Sequence, residues 1–497
     1  MPELLLGLDI GTSNIKAALA TPDGRVVAQA QAPYPMQRPR PGWAEQNPED
    51  WWQGVIATTR QVLALANAQA GQVVGIGVSG QGCAATLINQ RGEVIRPALI
   101  WMDTRSEPQC ARLRATCADE ILRLNGKQPA PYNGDTKLMW LLEHEPDSIA
   151  AARWSLTTTG YINFRLTGEP IENVSDASIL FAFDQTTENW SDELIAAFGL
   201  PRRLYPTVAP CRQVIGGLTP NAAEALRLRP GLPVIAGGED TSSAGLAIGV
   251  VQPGQALLSL GTAGTIYVVL SQPLVHPQLF AFQHVLAGQI LLGGSMIAAG
   301  AALNWCRRLL ADELDYAALT ELAAQSKPGA GGVIFLPYLS GELQPINDGH
   351  ARGVFFGLSL NTEQAQLIRA VMEGAAFAIA HNLQIVHEAG AALTEIRAVG
   401  GPTRSPLWCQ IIADITGQPL DVMAEDTGAP LGDALLAAAG IGLIENPAAV
   451  AVKAAKISQH FEPQAENRER YQALFEVYQQ LYPQLKNQFA ALAALEN

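Results

Sequence analysis

The sequence predicts an α/β protein made of two related domains that face each other across a cleft, and three observations predict it. Apolar strands alternate with amphipathic helices along the chain. At 497 residues the chain is too long for one hydrophobic core. One strand–turn–strand pattern also occurs twice, about half a chain apart.

The elements follow in order. Leu4–Asp9 is a first strand, and Asn14–Ala20 a second, entered through the turn Gly11-Thr12-Ser13. Pro22-Asp23-Gly24 then turns the chain into a third strand, Arg25–Gln31. A helix follows Glu45-Gln46-Asn47-Pro48, with Asn47 as its N-cap, Pro48 in its first turn, and a stripe of Trp51, Trp52, Val55 and Ile56. Val73–Ser79 is an apolar run before Gly80, the pattern of a strand buried on both faces. The stretch Ala256–Leu270, turning at Gly261-Thr262, repeats the first hairpin; by itself it is equally compatible with an unrelated hairpin. Gly245, Gly249, Pro253 and Gly254 cluster between the two patterns, which places the boundary between domains 1–248 and 249–497. Three helices are expected in the second half, over Thr362–Ala380, Leu407–Thr416 and Arg468–Ala493, the last kinked or split at Pro483.

Charge and cysteine usage narrow the function. Lys and Arg total 32 against 46 Asp and Glu, a net charge of −14. An acidic surface argues against nucleic acid or anionic membrane as the main partner. The six cysteines are scattered without a CxxC pair, which points to a reducing cytoplasm and away from disulfides or zinc. No apolar run is long enough to span a membrane, and Met1–Leu6 lacks the features of a signal peptide.

The candidate chemistry lies at strand ends. Asp9-Ile10-Gly11-Thr12-Ser13 offers a carboxylate that can hold Mg²⁺ through water, and a turn whose N–H groups and hydroxyls can hold phosphate oxygens. Alone it is an ordinary capped turn. Paired with Gly261-Thr262-Ala263-Gly264 it becomes half of a phosphate clamp. Asp240, presented after Gly237-Gly238-Glu239, is placed to accept a hydroxyl proton in phosphoryl transfer to an alcohol. The competing reading makes it a helix N-terminal carboxylate serving the N–H groups ahead of Ser242 and Ser243. Gly400-Gly401-Pro402-Thr403-Arg404-Ser405, between a strand and a helix, fits nucleotide binding or a plain connection. Gln81, Gly82 and Cys83, with Asp103 and Arg105 after Trp101, could supply directed donors and acceptors for a polyol; Asp103 and Arg105 could equally be a surface ion pair.

Taken together, these residues closely resemble the FGGY carbohydrate kinases of the actin and sugar-kinase superfamily. The resemblance runs in order through Gly7–Ser13, Gly42–Gln46, Gly80-Gln81, Trp101–Arg105, Lys137–Trp140, Gly237–Asp240, Ser259–Thr262 and Phe335–Glu342. Its most specific piece is Gly353–Leu358 followed by Gln366–Glu373. The resemblance implies two actin-like, ribonuclease-H-like domains around a central cleft, the N-terminal one binding sugar and the C-terminal one nucleotide. It implies ATP and Mg²⁺ as cofactors, Asp240 as catalytic base, and Asp9 beside the metal. It places Gly11, Thr12, Ser13, Gly261, Thr262, Gly400, Gly401 and Ser405 on the nucleotide, and Gln81, Gly82, Cys83, Asp103 and Asp240 on the sugar. No feature of the chain encodes an oligomeric state; the resemblance implies a homodimer.

Within the family the chain is most similar to the xylulokinases, from Trp43–Gln46 and Pro97–Trp101, which implies D-xylulose as substrate. Two departures bear on that. Cys83 stands where xylulokinases carry a histidine, and Glu239-Asp240-Thr241 where they read Gly-Asp-Asn. A kinase for another ketose, polyol or sugar acid (ribulose, erythritol, gluconate) and a catalytically silent sugar sensor are therefore the alternative expectations. Pro402 also removes one backbone N–H from the nucleotide turn.

Overall fold

The computed structural model describes residues 3–424 and 428–495. Two seven-stranded mixed sheets organise it. The first comprises β1 (Leu4–Ile10), β2 (Asn14–Ala20), β3 (Val26–Pro33), β4 (Val73–Gly80), β5 (Val214–Gly217), β6 (Pro233–Ile235) and β7 (Gly238–Glu239). Its order is β5-β6-β4-β1-β2-β3, with β7 beside β4. The second comprises β8 (Gln255–Leu260), β9 (Gly264–Leu270), β10 (Phe280–Gln283), β11 (Ile290–Met296), β12 (Glu395–Val399), β13 (Leu420–Met423) and β14 (Ile457–Phe461). Its order is β10-β11-β9-β8-β12-β13-β14.

The two sheets share one plan. In the first, β1 pairs antiparallel with β2, and β2 with β3; outward on the other side β4 and β6 run parallel to β1, and β5 closes antiparallel. In the second, β8, β9 and β11 form the antiparallel set, β12 and β13 are parallel, and β14 closes antiparallel. The repeated Gly-Thr hairpin is thus the start of a repeated architecture. Burial follows position: every residue of β1 is buried because both faces of the sheet are covered, whereas the edge strand β3 alternates half-buried and exposed.

Helix α1 (Pro48–Leu65) begins as expected, with Asn47 Oδ1 accepting from Glu49 N at 3.1 Å and Trp51, Trp52 and Val55 turned inward. The other helices that bear on the site are α2 (Asp240–Ala247), α3 (Gly300–Leu310), α4 (Gln364–Glu388), α5 (Pro406–Thr416), α6 (Gly428–Gly440) and α7 (Ala465–Leu495). Helix α6 comes from the second half of the chain yet packs on the first sheet and on α2. The approach is close: a Cβ on Gly7 of β1 would stand 1.8 Å from Pro430 O, and one on Gly432 would stand 2.0 Å from Ser243 O.

Of the kink or split expected at Pro483, the split does not occur; α7 is one helix from Ala465 to Leu495 with Pro483 inside it. One missing N–H donor is offset by packing, since Tyr471, Tyr478, Tyr482 and Phe489 are buried along the helix in an apolar cluster with Phe377 and Tyr338. The Gln366–Glu373 segment serves the same junction. Arg369 Nε donates to Glu373 Oε1 at 2.7 Å and Arg369 Nη2 to the Tyr471 hydroxyl at 3.0 Å, and that hydroxyl donates to Glu373 Oε1 at 2.8 Å.

Candidate active site

The first Gly-Thr turn is tied into its surroundings at each residue. Trp101 Nε1 donates to Thr12 Oγ1 at 2.9 Å, Gln46 Nε2 to Thr12 O at 2.8 Å, and the Tyr34 hydroxyl to Gly11 O. Ser13 is exposed. Asp9, one turn back on β1, is 4% exposed, with Lys16 Nζ 3.7 Å from its Oδ2. Burial, then the negative charges of Asp9 and Asp240, push the Tyr34 phenol well above its ordinary value, so the two carboxylates share one neighbourhood.

At the start of α2 two adjacent carboxyls divide the work. The capping role that the sequence could have given to Asp240 belongs to Glu239, whose Oε2 accepts from Ser242 N at 2.9 Å. Asp240 sits half-buried in the first helical turn and accepts from Thr241 Oγ1 at 3.0 Å. The helix does not need the Asp240 carboxylate.

The loop after β4 carries Gln81, Gly82 and Cys83. Gln81 N donates to Ile10 O at 2.9 Å, and Gln81 Nε2 to Gln46 Oε1 at 2.7 Å. Gln81 Oε1 is buried and has no partner among the described residues, which leaves an acceptor for a ligand hydroxyl. Cys83 adopts a left-handed φ of 62°. Burial pushes its thiol up to about 12, so it is neutral and a weak hydrogen-bonding group. Cys83 and Trp101 pack in one apolar cluster with Tyr267, Phe280 and Val399 of the second sheet, so this loop lies at the junction of the two domains.

Asp103 is fully buried, and the ion pair with Arg105 is not on the surface. Arg105 Nη2 lies 2.7 Å from Asp103 Oδ2 and 2.7 Å from Glu45 Oε1, and the guanidinium stacks 3.6 Å from the Trp43 ring. Ala44 N also donates to Asp103 Oδ2 at 2.7 Å. Asp103 therefore fixes the loop that aims Trp101 at Thr12.

On the second sheet, Gly261, Thr262 and Gly401 are exposed. Thr262 O accepts from Ala299 N at 3.1 Å and from Ala301 N at 3.0 Å, which sets the turn against the N-terminus of α3. Gly400 has φ 108° and packs so tightly that a Cβ would stand 1.9 Å from Leu260 O, whereas nothing lies within 4 Å of a Cβ on Gly401. A Cβ on Gly300 would stand 2.4 Å from Gly261 O and 3.3 Å from Pro402 Cγ. The two Gly-rich turns and the start of α3 thus meet at one place with an open face, a cradle suited to phosphate. Ser405 is committed to the fold, because its Oγ caps α5, accepting from Trp408 N at 3.2 Å.

Among the described residues no group of three or more His, Cys, Asp or Glu gathers to hold a metal. Asp9 fits the other kind of site, in which Mg²⁺ takes one carboxylate and completes its shell with phosphate and water.

Sequence reasoning missed Tyr34, Gln46 and Asp433. Asp433 on α6 is fully buried, and Ser79 Oγ donates to its Oδ2 at 2.6 Å, joining the end of β4 to the second half of the chain. Burial holds its carboxyl well above the usual carboxylate range. A lone acid inside the Ala- and Leu-rich run Leu431–Ala439 was the available signal.

Comparison with known proteins adds an independent observation. The pattern of the FGGY family of carbohydrate kinases, N-terminal domain, matches residues 4–247, and that of its C-terminal domain matches residues 256–441. A xylulose kinase of Escherichia coli (strain K12) is 35% identical over 97% of this chain and 99% of its own length. A glycerol kinase of Delftia acidovorans is 32% identical over 89% of this chain and 91% of its own. The crystal structure of a xylulose kinase from Rhodospirillum rubrum superposes with a TM-score of 0.92 at 32% identity, covering 98% of this chain and all of that one.

Proposed function

This chain belongs to the FGGY family of carbohydrate kinases, which are ATP-dependent phosphotransferases, and on that premise we propose that it moves the γ-phosphoryl group of ATP to a hydroxyl of D-xylulose, giving D-xylulose 5-phosphate. The observation that carries the reading is the arrangement at the head of α2. Glu239 caps the helix, and Asp240 beside it is left to take a proton.

In this reading the sugar lies against Gln81, Gly82, Cys83 and Asp240. The unpartnered Gln81 Oε1 accepts one of its hydroxyl hydrogens. Asp103, fully buried in its ion pair with Arg105, acts indirectly by holding the loop from which Trp101 reaches Thr12. The nucleotide lies against Gly11–Ser13 on one side and Gly261, Thr262, Gly400 and Gly401 on the other. Asp240 orients the attacking hydroxyl and receives its proton as the new O–P bond forms and the bond from the γ-phosphorus to the ADP oxygen breaks. Asp240 can collect the proton late, so an ordinary carboxylate suffices. Mg²⁺, when bound, neutralises charge on the transferred group, and Asp9 is the residue that would hold it. Closing the two domains excludes water from the transfer.

The names and full-length coverage of the relatives support D-xylulose. Cys83 and the glycerol kinase at 32% identity favour a second reading, a kinase for another polyol or ketose. All six cysteines are buried free thiols, which supports a reducing, cytoplasmic setting. Among the described residues no helix is long and apolar enough to cross a membrane.

The test is ADP release with ATP and Mg²⁺ against a panel of ketoses, polyols and sugar acids. D-xylulose is expected to stimulate most strongly. Stimulation by another member moves the specificity to that sugar, and none by any member overturns the kinase reading.

A further inference from the structure

The second sheet has two unlike faces. Leu258, Ile266 and Met296 point to one and pack into the core of their own domain. Leu257, Tyr267 and Val399 point to the other, where they pack with Cys83 and Trp101 of the first domain. Side chains alternate along a strand, so Ser259 and Thr265 share the face of Leu257 and Tyr267. Register makes them neighbours: Ser259 of β8 stands opposite Thr265 of β9, and Thr265 opposite Ser295 of β11. A row of three hydroxyl side chains thus crosses the domain-facing surface just behind the Gly261-Thr262 turn.

Ser259, Thr265 and Ser295 are each half-buried, whereas Leu257, Tyr267 and Gly293 of the next row are buried. The cleft is therefore open as far as the hydroxyl row and closed beyond it. Across it lie the sugar loop and the candidate base. Burial, and after it the carboxyls of Glu239 and Asp240 and the Cys83 thiol, raise the Tyr267 phenol above its ordinary value, which places these three groups near the phenol. Ser295 Oγ reaches the same place, sharing a hydrogen bond with the Tyr267 hydroxyl at 3.2 Å. The middle hydroxyl of the row is uncommitted: Thr265 Oγ1 is buried and has no partner among the described residues. Rotation about its Cα–Cβ bond exchanges hydroxyl and methyl and breaks no hydrogen bond among those residues.

We propose that this row is the nucleotide domain's share of the sugar site and that Thr265 is its specificity-determining contact: its hydroxyl turns into the cleft and hydrogen-bonds a hydroxyl of the sugar on the side away from Asp240. This rests on the kinase reading above and deepens it, because the favoured substrate is then a polyhydroxy chain that offers hydroxyls to both domains at once. Gln81 holds it from the first domain and Thr265 from the second, so sugar binding and closure of the cleft support each other. A hydroxyl kept without a protein partner costs the fold a little stability, and the ligand bond is what it is kept for.

Thr265→Val is the informative change, because valine keeps the shape and removes only the hydroxyl. Steady-state ADP release and melting temperature are measured for the wild type, Thr265→Val and Thr265→Ser, with whichever sugar the wild type turns over best. In Thr265→Val the KM for the sugar is expected to rise about tenfold, with kcat changed by less than about threefold and the KM for ATP unchanged. Its melting temperature should not fall, since no protein hydrogen bond is lost. Thr265→Ser restores the hydroxyl and should bring the sugar KM back to within about threefold of wild type. An unchanged sugar KM in Thr265→Val would overturn the proposal. A rise in the KM for ATP alone would overturn it by assigning the row to the phosphates. So would a serine variant as impaired as the valine one, or a Thr265→Val protein that melts far lower or fails to fold, which would give the hydroxyl a structural partner. A wild type that releases no ADP with any sugar overturns the kinase reading first and this contact with it.

Discussion

Which of two neighbouring carboxyls serves a helix decides what the other is free to do. At 239 and 240 the N-cap falls to the first, because Glu239 has the extended backbone of a cap (φ −76°, ψ 145°) and Asp240 already belongs to the helix. The same weighing of burial against partners applies to Glu172. Its oxygens accept from Thr157 N and Thr157 Oγ1, each at 2.7 Å, yet burial pushes its carboxyl up to about 7. A carboxyl raised in the folded state lends stability below its unfolded value near 4.5, and that stability is lost as pH rises through about 7. Glu172→Gln is therefore expected to be more stable than wild type at pH 8, by on the order of 2–3 kcal/mol, and to show no advantage at pH 4. Urea midpoints at the two pH values check it. At this scale the sequence was informative about residue types and poor on commitments. Asp9, Gln81 and Asp240 were visible as acids and amides at strand ends. That Ser405 would cap a helix and Asp103 bury itself in an ion pair depends on partners such as Trp408 N and Arg105 Nη2, whose positions only the fold sets.

Elements were more legible. Hydrophobic periodicity located β1, β2, β4 and α1 to within a residue or two, because each is set by local pattern and a cap. Two features of the last helix and its junction were decided by distant packing. Pro483 does not end α7 because aromatic residues from elsewhere in the chain hold both sides of it. The Gln366–Glu373 segment, the most specific part of the family resemblance, is structural: Arg369 and Glu373 pin α7 through Tyr471. Glu373→Ala would leave Arg369 buried without its counter-charge and is expected to cost about 3–5 kcal/mol, seen as a lower melting temperature with the kcat of folded enzyme little changed. Helix α6 shows the same dependence on close contact. Gly432→Ala would drive a methyl to 2.0 Å from Ser243 O, and is expected to cost about 3 kcal/mol or more while displacing α2, so that kcat falls with stability. A variant with wild-type melting temperature would refute that contact.

The whole molecule is one plan used twice, with a helix of the second half locked to the sheet of the first. The duplication was faintly legible in two Gly-Thr hairpins, since a hairpin is local. The return of α6 across the boundary was not, because nothing local in an Ala- and Leu-rich helix says which sheet it will cover. Function follows from this arrangement. Strand ends of the first sheet present Asp9, Gln81 and Asp240, those of the second present Gly261 and Gly400, and the proposed transfer takes place between them. The most direct measurement is sugar-stimulated ADP release from ATP and Mg²⁺ with D-xylulose, on wild type and on Asp240→Asn, with nucleotide affinity measured in parallel. The account predicts strong stimulation in the wild type, a loss of about a thousandfold or more in kcat for the variant, and nucleotide binding retained in both. Turnover in the variant near that of the wild type would contradict it.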